Sequence, residues 1–312
     1  MPFINALPGA IAQGLVWAIM AIGVYITFRI LDIADLTVDG SFATGGAVLG
    51  IYVVNSDGSA GSIAVGMLLA LLAGLVAGLV TGLIHTKLGI PPILAGILTQ
   101  LILWSVNLTI MGGRANVSVN GNLYPVFIRI LNSGDSIWKL VIVVGLIIAL
   151  LYLFFGTELG SSIRATGNNL KMSRAQGINV NLNKVIGLML SNGLVAVSGA
   201  LLTQYQGFAD INMGRGAIVI GLAAVVIGEA IFSKIVKNFA LRLMAVSIGA
   251  VIYYIVYQFV ISLGINTNLM KMLSAVVVAI FLGVPYLKKT HLDPILKARK
   301  EKKDASGGED NA

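Results

Sequence analysis

Long apolar runs recur along the chain, and shorter polar segments separate them. A membrane-spanning helix needs roughly 20 predominantly apolar residues. The pattern therefore predicts an all-α polytopic membrane protein with about nine transmembrane helices. The predicted spans are 9–28, 41–54, 62–84, 93–111, 140–155, 185–205, 217–232, 239–263 and 269–287. Together they form one transmembrane domain, 1–287, and we expect the charged cytoplasmic tail, 288–312, to be disordered.

The second and seventh spans are the short ones, and each follows a polar interruption. Ala34-Asp35-Leu36 in the first interruption aligns with Ala209-Asp210-Ile211 in the second, at an offset of 175 residues. Because the fifth span separates spans 1–4 from spans 6–9, the two groups run in opposite directions through the membrane. Short or interrupted segments at matching positions of two halves are typical of inverted-repeat transporters. We therefore expect two inverted repeats with short, broken second and seventh spans.

The acid-rich segment 32–46 allows two interpretations. It is either a broken helix that lines a translocation pathway, or an ordinary loop with acids at the membrane edge and Ser41 as a capping residue. In the fourth span, polar side chains either line the same pathway or form hydrogen bonds between helices. The candidate pathway residues are Asp35, Thr37, Thr44, Thr99, Gln100, Asn107 and Asn212.

Two further features of the spans each have a structural and a functional interpretation. The third span carries Gly66, Gly74, Gly78 and Gly82 on one helix face, where another helix can approach closely, either within the chain or from a second subunit. Glu229 is the one acid well inside an apolar run. Such residues are functional by default, but a position near the membrane surface also allows the side chain to snorkel towards water.

Composition narrows the class of function. Hydrophobic residues make up 57% of the chain and charged residues only 11%, against about 25% charged residues in soluble domains. The absence of cysteine excludes disulfides and thiolate metal sites. The sequence contains neither a phosphate-binding loop of the Gly-x-x-x-x-Gly-Lys-Ser/Thr type nor a catalytic constellation. We expect no enzyme activity, no metal and no cofactor in this chain.

The basic residues predict the orientation of the chain in the membrane. Most of the 21 lysines and arginines fall on one side when the C-terminal tail is placed in the cytoplasm. By the positive-inside rule, the N-terminus is external and the C-terminus cytoplasmic. The net charge of +8 does not indicate nucleic-acid binding, because the basic residues cluster at membrane edges. The N-terminus has no basic region, so we expect no cleavable signal peptide.

The polar segment 156–184 is long for a connection between spans, and its orientation places it in the cytoplasm. Ser161-Ser162 is expected to start one short helix that runs to Thr166. A second helix is expected over 170–176, after Asn168 and with Gly177 as its terminating residue. Short helices on the membrane face are suited to gripping a cytoplasmic partner, whereas the alternative is a solvated basic loop that only sets topology.

Residues 157–178 resemble the coupling loop of ABC-importer permeases of the branched-chain amino-acid and ribose type. The resemblance rests on Thr157-Glu158-Leu159-Gly160, Ile163-Arg164-Ala165-Thr166-Gly167-Asn168-Asn169 and Ala175-Gln176-Gly177-Ile178. Asp35-Leu36-Thr37-Val38 and Ala223-Ala224-Val225-Val226-Ile227-Gly228 resemble two further stretches of that superfamily, although Glu229 replaces the glycine that usually continues the second. The implied coupling residues are Arg164, Ala165, Thr166, Gly167, Asn168, Asn169, Ala175, Gln176 and Gly177.

The resemblance covers about residues 9–290 and implies the remaining partners. They are a second copy of the chain, two cytoplasmic ABC ATPase subunits that bind ATP and Mg, and an external substrate-binding protein, all at a bacterial cell membrane. Residues 94–99 and 105–116 resemble a narrower group, the tryptophan/tyrosine permeases of uncharacterised substrate. This group label implies a small solute, with an aromatic amino acid first. The alternative function is an ion-coupled secondary transporter, which also uses inverted repeats.

Overall fold

The structure of the chain is a computed structural model. It describes residues 2–56, 60–119, 126–129, 133–232 and 238–263, and scattered helical positions between 272 and 283. Most of the predicted ninth span and the whole tail lie outside the described residues. The chain divides into two compact units, Met1–Ile265 and Asn266–Ala312, and the description below concerns the first.

Ten α-helices lie in the described residues of this unit. The first continues through a π-helical turn, Ile26–Ile30. The helices are α1 Pro2–Tyr25, α2 Thr37–Asn55, α3 Ala60–Lys87, α4 Pro92–Ile110, α5 Ser133–Gly156, α6 Glu158–Asn168, α7 Leu170–Ala175, α8 Val180–Gln206, α9 Ala217–Phe232 and α10 Phe239–Ser262.

Seven of the described helices are long and apolar enough to cross a membrane. They are α1 with its π-helical turn, α2, α3, α4, α5, α8 and α10, and the shorter apolar α9 accompanies them. The predicted helical, multi-pass class is therefore confirmed. The count of nine spans and the inverted arrangement of the two groups stay predictions.

The second span differs from its prediction. It was expected to be short and broken over 41–54, but α2 is one continuous helix of 19 residues that starts at Thr37. The interruption precedes the helix, and Asp32 there adopts a left-handed conformation with φ of 55°. The prediction counted only the uninterrupted apolar run, so it left out the first turn, where Asp39 is charged and Gly40 is small. In the structure this turn is packed against other parts of the protein. The seventh span is short as predicted, but α9 is also continuous.

The buried helix α8 lies at the centre of the fold, with α1, α2 and α3 packed against it. The glycine ridge of α3 faces α8: a methyl group added at Gly74 would meet the backbone of Asn192, and one at Gly78 would meet Leu188. The interpretation of this ridge as a packing surface within the chain is therefore confirmed. The outer faces of α4 and α5 are apolar and exposed, as membrane-spanning helices require.

Two short strands were not predicted from the sequence. Strand β1, Asn116–Ser118, pairs antiparallel with β2, Phe208–Asp210, so that Asn116 lies opposite Asp210. The ribbon joins the ends of α4 and α8. Gly207 ends α8 with φ of 82°, a conformation that favours glycine.

Candidate translocation and coupling sites

Asp35 is 2% exposed, and protein groups bind its carboxylate. Thr37 donates its backbone N–H to Oδ1 at 2.9 Å, and Asn192 on α8 donates its amide to Oδ2 at 2.7 Å. Asn192 in turn accepts from the Ser41 hydroxyl at 2.6 Å, and the Thr37 and Thr81 hydroxyls lie 2.7 Å apart. Burial raises the pKa of the Asp35 carboxyl, and the hydrogen bonds from Thr37 and Asn192 oppose this rise. The cluster ties the start of α2 to α3 and α8.

Two other candidate pathway residues bond to their own helices. The Thr44 hydroxyl donates to the Gly40 carbonyl at 2.9 Å, and the Thr99 hydroxyl donates to the Ala95 carbonyl at 3.0 Å. Both side chains are buried. Such bonds satisfy hydroxyl groups inside apolar helices without a partner on another element.

A cavity of about 170 Å³ lies beside α4, and we call it the α4 cavity. It brings together two predicted pathway residues, Gln100 and Asn107, but the exposed Asn212 does not line it. Its lining is Asp39, Gly40, Ala43, Gln100, Leu101, Trp104, Asn107, Ile211 and Arg215. Asp39 and Arg215 were not among the predicted site residues, although each stands in one of the two polar interruptions.

Asn107 is 1% exposed, and neither Nδ2 nor Oδ1 of its side chain has a hydrogen-bond partner among the described residues. Most buried polar side-chain atoms in proteins have at least one partner. A buried amide without partners costs about 1–3 kcal/mol. An unpartnered amide in a cavity wall is therefore a candidate ligand-binding group.

Asp39 connects the two polar interruptions directly. Its carboxylate accepts the backbone N–H of Gly216 at 2.9 Å and that of Ile218 at 3.0 Å. These donors belong to the start of α9, where N–H groups lack partners within the helix and a negative charge is favoured. An acid from α2 thus caps a helix that begins more than 170 residues later in the chain.

A second, larger cavity of about 690 Å³ brings together three arginines from distant segments, and we call it the basic cavity. They are Arg29, Arg164 and Arg242. Arg29 Nε also lies 2.9 Å from Glu229 Oε1. The structure thus brings together four charged residues that are far apart in the chain. The pairing of Glu229 was not predicted, because no local pattern relates it to Arg29.

Both predicted helices of segment 157–178 are present, with small shifts. Thr157 caps α6 by accepting the Gly160 N–H at 3.3 Å, and Asn169 caps α7 by accepting the Met172 N–H at 3.0 Å. The first helix is longer than predicted at both ends. The second ends before Gly177, whose φ is 77°.

The predicted coupling residues divide into two groups. Thr166 is buried and accepts a 2.9 Å hydrogen bond from the Asn183 amide of α8. A methyl group added at Gly167 would meet the Ile30 carbonyl at the end of the π-helical turn. The other predicted residues are exposed, namely Arg164, Ala165, Asn168, Asn169, Ala175, Gln176 and Gly177. The segment therefore has an anchored face and an outward face.

Comparisons with known proteins show the family to which this chain belongs. The family model described as "branched-chain amino acid transport system / permease component" matches residues 7–282. The chain belongs to this family. It is 35% identical over 309 residues to the tyrosine transport system permease protein of Clostridioides difficile, covering 96% of this chain and 99% of the relative.

Two further matches are more distant. The permease is 29% identical over 280 residues to the ribose import permease protein RbsC of Escherichia coli, covering 88% of this chain and 84% of the relative. The solved structure of PsaBC from Streptococcus pneumoniae, in complex with a Fab, matches with a TM-score of 0.53 and 17% identity. That match covers 90% of this chain and 94% of the other, and it shows a shared fold. The protein is a multi-pass membrane protein and the permease component of an ABC-type transport system.

Proposed function

We propose that this permease imports an amino acid, with the aromatic amino acids first, in an assembly powered by two separate ABC ATPase subunits. The observation that carries the proposal is the α6–α7 segment, which presents exposed residues outward while its other face is anchored. The tyrosine transport relative supports the class of solute. The permease acts as a homodimer, receives its solute from an external substrate-binding protein, and has its N-terminus outside and its C-terminus in the cytoplasm.

The anchoring of α6 supplies a route for mechanical coupling. Gly167 packs against the backbone of Ile30 at the end of α1, and Thr166 is hydrogen-bonded to Asn183 near the start of α8. A displacement of α6 by a partner is therefore transmitted to the ends of two core helices. Closely packed elements transmit displacement in this way because protein interiors have few voids and low compressibility. ATP and Mg act in the partner ATPase, and α6 of this chain transmits the resulting displacement to the core helices.

The rival function, ion-coupled secondary transport, requires an acid that can bind the coupling ion inside the membrane. Glu229 was the sequence candidate for this role. Its carboxylate is paired with Arg29 at 2.9 Å, and its side chain is 37% exposed at the end of α9. This geometry matches a surface ion pair between two helix ends, and it favours the ATP-driven proposal.

The proposal is tested with Arg164→Glu, because Arg164 is an exposed residue of α6. The matched control is Arg114→Glu, an exposed arginine beyond the end of α4. Purification of the wild-type chain from its host should bring an ABC ATPase with it. Arg164→Glu should weaken this association and uncouple ATP hydrolysis from uptake in proteoliposomes, while Arg114→Glu should keep both.

Two results would overturn the proposal. One is solute uptake in proteoliposomes that contain this chain and no ATPase. The other is full coupling in the Arg164→Glu variant. Gly167 is a poorer test position than Arg164, because a side chain there collides with the Ile30 backbone and changes packing within the permease itself.

A further inference from the structure

The α4 cavity contains binding groups that the described fold leaves unused. Neither polar atom of the Asn107 amide, the Nδ2 donor or the Oδ1 acceptor, has a partner in the part of the chain that the structure describes. The Arg215 guanidinium has no carboxylate within ion-pairing distance among the described residues. Within the described residues, this amide has no partner and this guanidinium no carboxylate partner, and their shared cavity points to a ligand with both donors and acceptors.

The cavity is also lined by the Asp39 carboxylate, which can accept further hydrogen bonds. Each Asp39 oxygen accepts one backbone N–H, from Gly216 or from Ile218. An ionised carboxylate offers about four lone-pair sites in total, so each oxygen can accept again. Asp39 and Arg215 thus present opposite charges to the same cavity. That combination matches a zwitterion, whereas a sugar or a nucleoside carries neither charge.

The remaining wall of the cavity is mostly apolar, and Trp104, Leu101, Ala43 and Ile211 contribute to it. Trp104 lines the cavity and is 42% exposed, so part of its indole surface borders the cavity rather than packed protein. Aromatic rings attract one another in offset-stacked or edge-to-face geometry, so an aromatic solute fits against this indole. The volume of about 170 Å³ is below the range of drug-sized sites, about 300–1,000 Å³, and suits a smaller solute.

We propose that the α4 cavity is a binding subsite for an aromatic α-amino acid on its path through the permease. The solute ammonium is held by Asp39 and by Asn107 Oδ1. The solute carboxylate is held by Arg215 and Asn107 Nδ2, and the aromatic ring lies against Trp104. This inference rests on the proposed function and adds to it a site within this chain that recognises the class of solute.

Binding is measured on the permease–ATPase complex in lipid nanodiscs, without a substrate-binding protein, by saturation-transfer NMR with L-tyrosine as the probe. This method detects weak binding and reports contact with the ring protons. Asn107→Leu and Arg215→Gln should each weaken binding about tenfold or more, because each removes a hydrogen bond to a charged group worth about 1.5–3 kcal/mol. Thr109→Val and Arg114→Gln, which lie outside the cavity lining, should bind as the wild type does.

Competition identifies which solute groups are recognised. Tyramine lacks the carboxylate and 3-(4-hydroxyphenyl)propionate lacks the ammonium, so each should displace L-tyrosine far less well than L-phenylalanine does. Ribose should not displace it. Equal displacement by all of these compounds would overturn the assignment of a zwitterion site.

The stability of Asn107→Leu separates a binding role from a structural one. Replacing an unpartnered buried amide with an apolar group of similar shape is nearly neutral or stabilising. The variant should therefore keep or raise the melting temperature while it loses L-tyrosine binding. A clear fall in melting temperature would show that the protein itself uses the amide, and would overturn the inference.

A wrong subsite and a wrong function for the permease would give different experimental results. If the chain co-purifies with an ATPase and ATP drives uptake, but L-tyrosine binding is absent or unchanged in both cavity variants, only the subsite is wrong. If the chain transports without an ATPase, the proposed function is wrong whatever the cavity binds.

Discussion

Asn192 donates a 2.7 Å hydrogen bond to Asp35 in the interior of the permease, although 157 residues separate them in the chain. The same amide accepts from Ser41, so Asn192 joins the segment before α2, α2 itself and the central helix α8. Asp35 has no basic partner in this cluster. The carboxylate is stabilised by neutral donors, and each of those donors matters for the stability of the fold.

Asn192→Leu should lower the free energy of unfolding by about 2–3 kcal/mol, because it removes a donor from a buried carboxylate. The measurement is unfolding of the purified permease in detergent micelles. Asn168→Leu is the control, since Asn168 is an exposed amide on α6. Equal stability of the two variants would mean that the Asp35 cluster does not hold the core together.

Gly45→Ala should be destabilising, because a methyl group there collides with the Ala196 backbone where α2 crosses α8. Overpacking of this kind costs about 1–3 kcal/mol. At Gly145 on α5 no atom lies within 4 Å of an added methyl group, so Gly145→Ala is the matched control. It should be neutral or up to about 1 kcal/mol more stable, since alanine is the better helix former. A comparison of melting temperatures checks both, and the reverse order would contradict the α2–α8 packing.

Asp39→Ala should destabilise the start of α9, because the N–H groups of Gly216 and Ile218 lose their acceptor. Loss of a helix-capping side chain costs about 0.5–2 kcal/mol. Asp39→Asn keeps one acceptor oxygen and loses the charge, so its stability should fall between that of Asp39→Ala and the wild type. Hydrogen exchange of the α9 amides measures the effect locally. Unchanged protection of residues 216–218 in Asp39→Ala would contradict the capping role.

Glu229→Gln should leave ATP-driven uptake nearly unchanged. The Arg29–Glu229 pair is partly exposed, with 58% and 37% of the side chains accessible, and exposed pairs contribute only about 0.2–1 kcal/mol. A double-mutant cycle with Arg29→Gln measures the coupling energy, which should fall within that range. Loss of uptake in Glu229→Gln while the ATPase still hydrolyses ATP would instead support ion binding at Glu229.

Several elements could be predicted from the sequence because their causes are local. The span over 217–232 has the predicted bounds, since an uninterrupted apolar run bounded by polar segments identifies a buried or membrane-spanning helix by itself. The two helices of segment 157–178 follow from capping residues within three positions of their N–H partners. The start of α2 could not be placed in this way, because its polar first turn is stabilised by Asn192, Thr81 and the start of α9.

The sequence by itself determined the membrane class, most helices and the two short helices of segment 157–178, because hydrophobicity, capping and family motifs depend on neighbouring residues. Only the tertiary structure decided which polar groups meet. Asn107, Asp39 and Arg215 share the α4 cavity, and Arg29 meets Glu229, through contacts between segments far apart in the chain. The physical reason is that these contacts depend on the rotation and depth of each helix in the bundle. When a helix is apolar on nearly every side, its own sequence predicts neither its rotation nor its depth.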